Sequence, residues 1–189
     1  MELKDALTIV REEYVDTYKK VLSEYRAQSL QVTPEVAFKL KGVLSIFMSV
    51  SILDAVVQTE SGEKQVCEIQ VNPKTLLENL QFEITPAVEL TWERFEWNAA
   101  EFLVENYLGN DVKFTNWCQK WLHLEGQFAQ DEDGLSGIVH SISLPTLLEG
   151  KTVIGIDFGS APIGAFIELL PLLAESGNIH VKSGMVEVE

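Results

Sequence analysis

Sulfur, imidazole and positive charge are scarce in this chain, and each shortage excludes a class of function. Two cysteines, Cys67 and Cys118, and three histidines are spread over 189 residues, which leaves no conventional Cys/His zinc set. His123-Leu124-Glu125 has the H-x-E spacing of the zinc deaminases, but the Pro-Cys-x-x-Cys partner is missing and Cys118 lies upstream. Asp131, Asp133 and Gly134 match part of a calcium loop, yet Ala129 would fill its first ligand position and His140 its closing acid. The expectation is no metal and no cofactor.

Lys and Arg number 14 against 29 Asp and Glu, a net charge of −15. Phosphate binding needs clustered basic side chains, so nucleic acid is excluded as a partner. Long apolar runs are lacking too. The uncharged run Gly42 to Leu53 is interrupted by Ser45, Ser49 and Ser51, whereas a bilayer span needs about 20 apolar residues. The opening Met1-Glu2-Leu3-Lys4-Asp5 has no basic, apolar leader. These points predict a soluble cytoplasmic protein, off membranes, with reduced and partly buried thiols.

Catalytic motifs are equally thin. Asp157-Phe158-Gly159 matches a protein-kinase tripeptide, but the chain is too short for that fold and has no glycine-rich or catalytic loop. Gly159 to Gly164 has a Walker-type gap, with Ala165-Phe166 where Lys and Ser/Thr are required. Gly134-Leu135-Ser136-Gly137 lacks the spacer of a serine nucleophile elbow. No catalytic residue is assigned.

What is present is amphipathic order. Over residues 2–29, Leu3, Leu7, Val10, Tyr14, Tyr18, Val21 and Tyr25 recur at three- and four-residue steps, predicting one helix with its tyrosines packed inward. Over 33–57 two signals compete. Thr33-Pro34-Glu35 resembles a helix start, while Leu44, Ile46, Met48, Val50 and Ile52 alternate with serines; alternation favours strand, with Gly42 as a bulge or break. Glu60-Ser61-Gly62-Glu63-Lys64 links two apolar segments as a hairpin, and Asn72-Pro73 should end its second strand. Residues 92–108 carry Trp92, Phe95, Ala99, Phe102 and Leu103 on one helical face, with Thr91 as cap and Gly109 beyond the end. A shorter helix follows at 114–122, then an exposed turn at 131–134. A strand is expected in which Ile138, His140, Ile142 and Leu144 share a face. Strand 152–158, helix 162–175 and strand 179–188 close the chain, with Pro171 kinking or dividing the helix. Without repeats or linkers, residues 1–189 read as one α+β domain, a mixed or antiparallel sheet packed on the N-terminal helix and further helices.

Charge is concentrated in the middle. Between Leu76 and Glu149 there are 13 acidic and 3 basic residues, together with all four tryptophans. If 92–108 is helical, Glu93, Trp97, Glu101 and Glu105 form one stripe whose like charges call for neutralisation; an exposed Trp97 would anchor an interface. With the turn Asp131, Glu132 and Asp133, this predicts a non-enzymatic acidic module that captures a basic protein, of immunity or inhibitor type. A second reading places a small-molecule or enzymatic site at the turn Asp157, Gly159, Ser160, where a strand-to-helix loop with free amides attracts anions; Asp157 and Ser160 as plain helix caps explain the same residues. A third makes the chain a structural or oligomerising subunit joined through the Leu/Tyr stripe.

Overall fold

The computed structural model describes residues 1–28, 31–39, 50–71, 77–105, 112–122 and 129–184. Gly42, the Leu44–Met48 alternation, Asn72-Pro73, Gly109 and His123-Leu124-Glu125 lie outside the described residues. The chain begins with helix α1 (Leu3–Ala27) and runs through strands β1 (Gln31–Lys39), β2 (Val50–Gln58) and β3 (Lys64–Cys67). Strands β4 (Leu80–Thr85), β5 (Val88–Trp92) and β6 (Ala100–Glu105) precede helix α2 (Val112–Trp121). It ends with β7 (Ser141–Ile142), β8 (Thr146–Leu148), β9 (Lys151–Asp157), helix α3 (Ile163–Ala174) and β10 (Ile179–Ser183).

Two sheets share one core. β1, β2 and β3 form an antiparallel three-stranded sheet, and β4-β5-β10-β6-β9-β7, with β8 also on β9, form a seven-stranded one. β10 lies parallel to β5 and antiparallel to β6, so the larger sheet is mixed. The period-2 rule sorts its side chains: Ala100, Phe102 and Val104 of β6, Ile154 and Ile156 of β9, and Ile179 and Val181 of β10 are all buried on one face. That face meets Phe158, Ala165, Phe166 and Leu169, and Phe166 contacts the rings of Phe95, Phe102 and Phe158. Helix α1 adds Leu7, Tyr14 and Tyr18 from the expected stripe, with Ala6, Val15 and Leu22 beside them. Leu3, Val10 and Val21 of the stripe pack partly against the same core. No described helix is long and apolar enough to cross a membrane.

Most of the expected elements are present, including the hairpin of β2 and β3 around Gly62. Thr33-Pro34-Glu35 lies in β1 and starts no helix. α3 runs through Pro171 undivided. The expected helix at 92–108 is not formed over 92–105, the part of it that is described. Thr91 and Trp92 end β5, residues 93–99 form a loop, and β6 is a central strand hydrogen-bonded to both β9 and β10. The apparent helical face arose because loop residues Phe95 and Ala99 fall between two strand segments whose own alternation is intact. Tertiary pairing on both edges of β6 decides its state.

Candidate functional site

Setting aside the aromatic residues, four polar side chains are buried among the described residues, and three of them, Glu35 (8% exposed), His140 (0%) and Ser160 (2%), touch one another. Burying such groups is costly unless they are paired, so the cluster is specified rather than incidental. Its geometry comes from three elements. Pro34 and Val36 of β1 pair with Ala55 and Leu53 of β2, which sets Glu35 opposite Asp54, a like-charge pair that is destabilising alone. His140 separates them. Its backbone carbonyl accepts from Ile52 N–H of β2, and its own N–H donates to the Asp157 carbonyl of β9, both at 2.9 Å. The imidazole is thereby fixed where the two sheets meet.

The ring is held asymmetrically. Nε2 lies 3.1 Å from Glu35 Oε1. The Glu35 carboxylate also accepts from the Ser160 hydroxyl and the Ser136 N–H, while Ser160 Oγ accepts from Gly137 N–H (2.9 Å) and Ile138 N–H (3.2 Å). Nδ1 faces the other way, 3.0 Å from Asp54 Oδ1 and 3.8 Å from Asp157 Oδ2, yet it makes no hydrogen bond. The second oxygen of each aspartate is tied down: Asp54 Oδ2 accepts from Ile69 N–H (2.6 Å) and Asp157 Oδ1 from Gly159 N–H (2.8 Å).

The turn after β9 is built around this ring. Gly159 has φ +48, and a Cβ there would overlap three atoms of the His140 imidazole. Behind the turn, Trp97 Nε1 donates to the Gly159 carbonyl (3.0 Å) and the Trp97 carbonyl accepts from Phe158 N–H. Arg11 of α1 donates to the carbonyls of Ser160 and Ala161. Electrostatics follow the crowding. Burial, with the charges of Asp54 and Glu35, outweighs His140 and pushes Asp157 up to about 6. For His140, burial opposes protonation, but Asp157, Asp54 and Glu35 prevail and push it up to about 10.

A cavity of about 490 Å³ opens beside the cluster, between β2, the segment after β3, the β5–β6 loop and the end of β9. Asp54, Glu68, Glu96 and Asp157 line it, with Ser141 and Asn98, and no Lys or Arg among the described residues does. The Asn98 amide oxygen is shielded from solvent and has no hydrogen-bond partner among the described residues. No protein-family model, no curated protein and no solved structure matches this chain. The site has to be read from its own chemistry.

Of the residues singled out from sequence, Asp157, Gly159 and Ser160 are brought together here. Neither Asp157 nor Ser160 caps α3, whose N-cap position is Pro162 with no side-chain cap bond; Ser160 is spent on Glu35 and the 137–138 amides. Its buried hydroxyl reaches the imidazole only through the Glu35 carboxylate. The charged side chains on the described wall of the cavity are all carboxylates. Glu93, Trp97, Glu101 and Glu105 share no helical stripe. Trp97 is 1% exposed and props the turn, Glu93 sits beside His180, Glu101 pairs with Lys182, and Glu105 is exposed at the end of β6. Asp131 and Asp133 pair with Lys19, and Asp133 also with Arg26, while Glu132 is exposed. Glu35, Asp54 and His140 were missed. The available signal was His140 itself, an imidazole on the apolar side of the Ile138/Ile142 alternation, where only a partnered polar group is tolerated.

Proposed function

We propose that this chain is a small-molecule-binding protein or enzyme that takes a positively charged ligand in the cavity beside the Asp157–Ser160 turn. The observation that carries this reading is a buried imidazole turned toward two half-free carboxylates at the wall of an acidic cavity. The volume falls within the roughly 300–1,000 Å³ usual for ligand sites. Charge decides the ligand class. A unit cation roughly 4 Å from one carboxylate gains about 4 kcal/mol at the effective dielectric of a protein surface, against about 1 kcal/mol for a neutral hydrogen bond.

Capture of a basic protein now rests on net charge alone, because its anchor Trp97 is internal and several of its acids already have basic neighbours. For the cavity reading, a thermal-shift panel of small organic ammonium compounds, metal cations and size-matched anions is the test. A cation at about 100 times its Kd adds about 2.7 kcal/mol, which raises Tm by roughly 5–10 °C in a chain of this size. Asp157→Asn should remove that shift. Stabilisation by anions, or by cations equally in Asp157→Asn, would refute the reading.

A further inference from the structure

Three ligand-capable atoms of Asp54, His140 and Asp157 lie within 4.8 Å of one another. Ligand atoms bound about 2.0–2.2 Å from a single ion stand roughly 3–3.6 Å apart, and the His140 Nδ1 separations from Asp54 Oδ1 and Asp157 Oδ2 are 3.0 and 3.8 Å. A cluster of acids alone would say little, since such groups are common on surfaces. Here the imidazole is fully buried and its Nδ1 has no hydrogen-bond partner among the described residues, although a carboxylate oxygen is within reach. Asp54 Oδ1 and Asp157 Oδ2 both face this nitrogen, each the oxygen that its carboxylate's backbone hydrogen bond leaves over.

The surroundings match what a metal-binding imidazole needs. Its far nitrogen meets a carboxylate, Glu35, that is itself fixed by Ser160 and Ser136; a proton held on Nε2 leaves the Nδ1 lone pair for an ion. The turn at Gly159 lacks the side chain that would displace the ring. Asp54 and Asp157 both reach the cavity wall, so an ion between them would keep open positions toward a ligand, the arrangement of three-ligand catalytic sites.

We propose that Asp54, His140 and Asp157 form a divalent transition-metal centre at the cavity wall, and that the positively charged ligand of the cavity is this ion. The inference rests on the cationic reading of the cavity. One imidazole and two carboxylates suit Zn2+, Mn2+ or Fe2+; a buried imidazole disfavours Mg2+ and Ca2+, and the lack of thiolate disfavours Cu+. Loading replaces the Nδ1 proton, which leaves to solvent.

The test uses the full chain, stripped with chelator and dialysed, and titrated with Zn2+, Mn2+, Co2+ and Mg2+ by calorimetry, with Co2+ followed also by its visible absorption. One equivalent of Zn2+ or Co2+ should bind in preference to Mg2+. Asp54→Asn and Asp157→Asn should each weaken binding by at least the 10–100-fold that loss of an outer-shell partner costs. Absence of stoichiometric uptake, or uptake unchanged in folded Asn variants, overturns the centre. Should the variants not fold, 15N-histidine spectra of the unsubstituted chain decide: Zn2+ must shift the Nδ1 of one histidine, and no shift in any of the three overturns it. Stabilisation by organic ammonium compounds without metal uptake overturns the metal centre alone, whereas stabilisation by neither overturns the cavity reading as well.

Discussion

Gly159→Ala should destabilise the protein by about 2–6 kcal/mol, combining about 1–3 for a non-glycine residue held at positive φ with about 1–3 for overpacking. Gly159 has φ +48 and its missing Cβ is the space occupied by the His140 ring. Gly137 supplies the control, since it has φ +71 but nothing near its Cβ position. Gly137→Ala should cost the backbone strain only. Urea unfolding of both variants separates the two contributions. Equal losses would mean that the turn is not built around the imidazole.

Removing the carboxylate behind that ring should be about as damaging. Glu35→Ala leaves His140 Nε2, the Ser160 hydroxyl and the Ser136 amide without their shared acceptor, and breaking such a buried pair costs about 3–5 kcal/mol. Glu35 also carries φ +49 in the middle of β1, a conformation that costs an L-residue energy and that the hydrogen bonds hold in place. Glu35→Gln should fall between wild type and Ala, because its amide group turns a donor toward one of three donors. A Glu35→Ala protein within about 1 kcal/mol of wild type in denaturant unfolding would show that the network is not tensioned through Glu35.

Periodicity made much of the fold legible. α1, α2, the β2–β3 hairpin and the β9–α3–β10 unit each follow from a repeat confined to one segment. The failure at 92–108 has a physical cause. Phe95 and Ala99 in a loop mimic the helical step between Trp92 and Phe102, while the alternation Ala100/Phe102/Val104 against Glu101/Leu103/Glu105 records the strand that two neighbouring strands enforce. The site was half legible. Asp157, Gly159 and Ser160 stand in a strand-to-helix turn that any reading would inspect. Glu35 and Asp54 could not be found by spacing, because their meeting depends on the register of β1 with β2 across an intervening segment. His140 was visible only as an imidazole at a core position, and its need for partners was the clue.

The state of the His140 ring decides whether the buried cluster exists as described. A 15N-histidine pH titration of the metal-free chain reads it directly. Its folded pKa is raised from the ordinary 6.5 to about 10, so its contribution to stability is complete below pH 6.5 and is lost as pH rises toward 10. One of the three histidines should therefore keep both ring protons through neutral pH and lose one only near pH 10, with Tm falling over the same interval. The absence of any histidine that keeps both ring protons above neutral pH, with Tm flat across that interval, would contradict it.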